Sequence, residues 1–169
     1  MKINHYYVLI ALISLYSLPG LTYAEQLVGW VENVRVVPGD ILVKAKLDTG
    51  AKISSLGCDC PSTYMKDGKE WVRFSLTGEN GMTHTYDRQV LRRVQVKRHF
   101  GEKQRRMVVK LSICLGRQYK EVEFTLINRT GLNYLILLGR DFMAGSILVD
   151  PGRTFLARPA CSRMPARAS

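Results

Sequence analysis

The sequence predicts an all-β fold, a small barrel or sandwich, on three observations. Apolar and polar residues alternate along many short segments, glycine- and proline-rich turns fall between them, and no helical period runs beyond about two turns. The expected strands are 28–37, 41–47, 71–76, 91–97, 107–114, 119–127, 134–138 and 147–149. Pro38-Gly39-Asp40 separates the first two, and Ile41, Val43, Ala45 and Leu47 share one face of the second. Asp67-Gly68 precedes a strand in which Val72, Phe74 and Leu76 line up. Gly78-Glu79-Asn80-Gly81 follows it, with 82–86 as a returning arm. Phe100-Gly101 and Leu115-Gly116 mark later turns, and Val122, Phe124 and Leu126 alternate in the strand beyond. The best helix candidate is the short stretch 140–144.

The second strand ends at Asp48-Thr49-Gly50-Ala51, which puts a carboxylate at a turn. There it can accept local amide hydrogen bonds and still face a cleft, as the aspartate of an aspartic peptidase must. Gly50 is expected to allow backbone shapes that other residues resist. About ninety residues later, the apolar run Tyr134-Leu135-Ile136-Leu137-Leu138 stops at Gly139, followed by Arg140 and Asp141.

Together, 47–56 (Leu-Asp-Thr-Gly-Ala-Lys-Ile-Ser-Ser-Leu), Leu137-Leu138-Gly139-Arg140 and Leu148-Val149-Asp150-Pro151-Gly152-Arg153 resemble one bacterial family. It is the retropepsin-like family often labelled "ATP-dependent zinc protease". Gly29-Trp30-Val31 and Trp71-Val72-Arg73-Phe74 also look familial, so the resemblance spans roughly 28–156. It implies a small closed barrel of the half-pepsin type and an aspartic endopeptidase. Nothing in the chain resembles a nucleotide-binding loop or a zinc-peptidase helix, and no cofactor or metal is expected.

The resemblance also implies roles. Asp48 would activate water, Thr49 would brace the turn, and Gly50, Ala51 and Lys52 would lie along a bound peptide. Leu138, Gly139, Arg140 and Asp141 would support the turn from beneath. Gly78 and Gly81 would belong to a flap over the cleft. No other aspartate is followed by Thr/Ser-Gly, and the chemistry needs two carboxylates sharing one proton. The implied enzyme is therefore a symmetric homodimer. Viral retropepsins carry an acid where this chain has Lys52, so Arg140 is expected to pair instead with Asp141 or Asp150. The histidine that family members often carry shortly after the turn is absent; Gly57 and Cys58 stand there. His84 and His99 read as isolated hairpin or surface residues. The competing reading is an inactive module of the same fold that binds extended peptides or envelope components.

Residues 1–24 read as a signal peptide: Lys2, an apolar stretch from Tyr6 to Leu18, and Thr22-Tyr23-Ala24 before the expected cut. The peptidase domain is expected over 25–157 and a flexible basic tail over 158–169. Periplasmic or secreted location follows, with no stable membrane anchor after cleavage. In that oxidising setting one disulfide from Cys58 or Cys60 to Cys161 is expected, with Cys58-Asp59-Cys60 as a metal site the alternative. The formal charge is +11. Its positives cluster between Arg88 and Lys110, a surface that would steer acidic peptide substrates or simply solvate a hairpin. Export argues against nucleic acid as a partner.

Overall fold

The computed structural model describes residues 25–58, 62–96, 103–127 and 133–161. The expected signal peptide, Asp59, Cys60, His99 and the tail beyond 161 lie outside the described residues. The fold is nearly all-β, as the alternation predicted, with one short helix.

Six strands close the barrel. They are β2 (Val31–Val37), β3 (Ile41–Leu47), β4 (Ser54–Gly57), β9 (Gln104–Leu115), β10 (Gln118–Ile127) and β11 (Ile136–Leu138). Their order is β10-β4-β11-β3-β2-β9, and pairing of β9 with β10 completes the ring. β8 (Arg92–Val96) extends the sheet beside β9. A separate three-stranded sheet holds β5 (Ser62–Lys66), β6 (Lys69–Thr77) and β7 (Thr83–Gln89). β1 (Gln26–Gly29) pairs in parallel with β12 (Ile147–Asp150), and α1 (Arg140–Met143) follows β11.

The core forms where the alternation said it would. Ile41, Val43, Ala45 and Leu47 from β3 are buried, with Val72, Phe74 and Leu76 from β6 and Ile136 and Leu138 from β11. Asp67 and Gly68 both adopt positive φ, 51° and 70°, the two-residue hairpin turn expected of that pair. The single strand expected over 28–37 is two, divided at Trp30. There Gly29 lies against the returning C-terminal segment, and a Cβ on Gly29 would stand 2.5 Å from the Arg153 carbonyl oxygen. The same segment is held by Glu32, fully buried in β2. Its carboxylate accepts the amides of Gly29 (2.6 Å), Leu156 (2.8 Å) and Ala157 (3.1 Å).

The expected disulfide is corrected. Cys161 bonds Cys114, their Cα atoms 6.0 Å apart. Cys58 is buried at the end of β4, whereas the tail runs beside the β9–β10 turn, where Ala160 N–H donates to the Gly116 carbonyl (2.7 Å). Residues 158–161 of the expected flexible tail are thus held to the barrel.

Candidate active site

The Asp-Thr-Gly turn is built almost wholly from backbone. Asp48 N–H donates to the Leu138 carbonyl (2.8 Å) and Ala51 N–H to the Asp48 carbonyl (3.2 Å). Parallel pairing of β3 with β11 brings Leu138 opposite Leu47, so the two apolar runs end side by side. Gly50 N–H donates to Asp48 Oδ1 at 3.1 Å. The second carboxylate oxygen takes no hydrogen bond from the described residues and remains available to water or a partner carboxyl. Gly50, expected to allow backbone shapes that other residues resist, does not adopt a positive φ. Its role is clearance, since an added Cβ would stand 3.3 Å from Asp48 Oδ1.

Gly139 packs under the turn as the resemblance implied. A Cβ there would meet the Lys52 carbonyl oxygen at 2.6 Å and Ile53 backbone at 2.9 Å, distances that real side chains do not tolerate. Gly139 N–H donates to Ser54 Oγ (3.0 Å), a buried serine that the sequence reading passed over. Ala51 and Lys52 turn their carbonyls toward α1 and accept the amides of Arg140 (2.9 Å) and Asp141 (3.0 Å).

Arg140 takes neither of its expected partners. Its guanidinium donates to the Thr49 carbonyl at 2.8 Å, clamping the turn by a charge-assisted bond to backbone. Asp150 is engaged by Arg153 (2.7 Å) and by Gly152 N–H (2.8 Å), and those bonds, Arg153 first, hold its carboxyl below the usual range. The missing acid at Lys52 is therefore answered by a carbonyl, not by another carboxylate.

The helix carrying Arg140 is pinned from outside. Lys120 donates to the Phe142 carbonyl (2.8 Å) and Ser146 Oγ (2.7 Å), and burial lowers its pKa. This buttress was not foreseen: a lone lysine in an alternating strand carries no signal of the helix it will cap.

The flap expectation is corrected for Gly78 and Gly81. Their turn docks on the start of β3, where Glu79 N–H donates to the Leu42 carbonyl (2.9 Å) and Glu79 pairs with Lys44 (3.0 Å). Leu42 lies six residues before Asp48, about 20 Å along an extended strand. The turn braces the far end of β3 and does not cover the carboxylate of its own chain. His84 is a packing residue, edge-on to Tyr86 at 4.7 Å and close beneath Gly39. Among the described residues, no three His, Cys, Asp or Glu side chains gather as a metal-ligand set, and no helix is long and apolar enough to cross a membrane.

Comparison with known proteins finds a family model, curated relatives and a solved structure. A family model described as RimB-like, "Retropepsin-like aspartic endopeptidase RimB", matches residues 27–160. Curated relatives include a "Probable alpha-L-glutamate ligase" of Shewanella pealeana, 34% identical over 116 residues, covering 67% of this chain and 25% of that protein. One of the same name from Desulfotalea psychrophila is 31% identical over 112 residues, covering 64% and 24%. The chain thus spans about a quarter of the length of these relatives. A crystal structure of a Legionella pneumophila protein of unknown function superposes with a TM-score of 0.69 at 29% identity, covering 80% of this chain and all of that one.

Proposed function

The chain belongs to the RimB-like family of retropepsin-like aspartic endopeptidases, and from that premise we propose that it is an exported endopeptidase acting as a homodimer. The observation that carries this reading is the Asp48 turn: a carboxylate fixed through one oxygen, open at the other, and clamped from below by Gly139 and Arg140. Two such turns meeting on a two-fold axis would share one proton. The ionised Asp48 takes a proton from water as the oxygen attacks the peptide carbonyl. The protonated Asp48 polarises that carbonyl, and the proton taken from water then passes to the leaving amine.

The β1–β12 sheet supports the dimer. Leu27 and Leu148 pair across it and are 48% and 52% exposed. This sheet leads into Trp30, whose carbonyl accepts Leu47 N–H (2.8 Å) one residue before Asp48. Burying those leucines against a second copy would bring the two turns together. The substrate class is an acidic, glutamate-rich peptide. Its support is the formal charge of +11 and the naming of the relatives for glutamate ligation.

Those same names favour a second reading, in which the domain binds glutamate-rich chains without cutting them. The experiment that separates the two incubates the mature protein, and its Asp48→Asn variant, with acidic and neutral peptides across acidic to neutral pH. Turnover by the first and a loss of about a thousandfold or more in the second establishes the peptidase. Absence of turnover from a folded dimer overturns it.

A further inference from the structure

β9 is longer than the barrel wall it belongs to. Its pairing with β10 ends at Val108 opposite Thr125, and its residues 104–107 pair with β8 alone. A two-stranded arm therefore leaves the wall for about four residues, roughly 13 Å. Its outer strand, β8, is the last of its sheet and has no ladder partner on the far side among the described residues. Such an edge presents backbone donors and acceptors to any extended chain.

Charge is sorted along this arm. At its root the cations are matched: Arg92 grips Glu123 with two bonds (2.6 and 2.5 Å), Arg93 pairs with Glu70, and Lys110 approaches Glu121 at 3.7 Å. Further out, Lys103 and Arg105 are exposed and meet no carboxylate among the described residues. Arg106 Nε donates to the neutral Gln104 amide oxygen (3.0 Å). Gln95, opposite Arg105, is also uncharged. The described part of the arm holds no acid at all. Repulsion between like charges at this edge disfavours a second copy of the chain and favours a polyanion.

We propose that the free edge of β8, with Lys103 and Arg105, is a docking surface for an acidic extended peptide segment of the substrate, outside the cleft that holds Asp48. Backbone bonds to β8 would fix the segment's direction, and the two cations would select its carboxylates. This rests on the acidic-substrate reading above but not on turnover. It predicts a gain in substrate capture that a short peptide filling only the cleft would not show.

The test uses the full mature chain carrying Asp48→Asn, so that nothing is consumed, and a fluorescein-labelled ten-residue oligoglutamate as probe. Fluorescence anisotropy at low salt should show binding that Lys103→Glu with Arg105→Glu weakens by at least about tenfold, with a shallower salt dependence. The neutral pair Lys103→Gln with Arg105→Gln, which removes charge without adding repulsion, should lie between. A Gly-Ser decapeptide should not bind. Unchanged affinity in both double variants, with thermal unfolding intact, overturns the proposal. So does arm-dependent binding of phosphatidylglycerol vesicles or single-stranded DNA in place of the oligoglutamate. Arm-dependent binding with no cleavage by the wild type leaves the docking surface standing and removes the peptidase; cleavage with arm-independent binding does the reverse.

Discussion

The floor of the candidate active site and the β5–β6–β7 sheet are held together by opposite means. Beneath Asp48, main-chain groups bond main-chain groups, and one glycine admits one close backbone approach. On the outer face of β5–β6–β7, side chains bond side chains in the open. Tyr64 and Arg73 share Asp87, Ser75 meets Thr85 at 2.8 Å, and Thr77 meets Thr83 at 2.9 Å. The difference teaches where each region is vulnerable. The floor beneath Asp48 admits hardly any added atom. A side-chain-built sheet tolerates substitution but responds to pH.

The sharpest way to break that contrast is Gly139→Ala. Its Cβ cannot coexist with the Lys52 carbonyl, so the turn and α1 must separate. We expect a loss of about 3 kcal/mol or more in denaturant unfolding, with peptide turnover abolished. A variant of wild-type stability would show that the floor yields more than its geometry implies. Ser54→Ala comes next. It strands the buried Gly139 N–H at a cost of about 1–3 kcal/mol, to be read in the same unfolding experiment.

For the outer sheet the expected effects are smaller. The Arg73 and then the Tyr64 hydrogen bonds hold the Asp87 carboxyl below its usual range. A carboxyl lowered by folding contributes stability at neutral pH, and that contribution fades as pH falls through the ordinary aspartate value of about 4 and on to the lowered folded one. Thermal melts from pH 7 to pH 3 should therefore converge for wild type and Asp87→Asn, with the wild type ahead only at the neutral end. A constant gap would mean the aspartate acts by shape and not by charge. Smallest of all, Thr85→Ala removes one exposed cross-strand hydroxyl pair and should cost about 0.5 kcal/mol, with turnover unchanged.

The sequence made the floor legible because its signals are local. Alternation in β3 ran straight into Asp-Thr-Gly, and Leu-Leu-Gly ended β11 where the structure ends it. The helix expected over 140–144 is Arg140–Met143. β4 escaped notice because all four of its residues are buried, so it shows no alternation, and two are serines. β7 was read only as a returning arm over 82–86, short of its true end at Gln89, because one face is polar and only Tyr86 is deeply buried. Nothing in the pattern around Glu32 marks it for burial. What buries it is a segment more than 120 residues away, a contact no local pattern encodes. The disulfide failed for a related reason: Cys58 and Cys60 sit near the Asp48 turn in sequence, but the path of the tail decides which cysteine it meets.

The buried Glu32 has a consequence for how the chain is made. Its amide partners come from Gly29 at one end and from Leu156 and Ala157 at the other, and β1 finds its ladder only in β12. The first strand of the domain therefore has no ladder to close against until residues 147–150 have been made. The pairing joins segments at opposite ends of the domain, a non-local contact whose loop-closure entropy must be met before the contact rewards it.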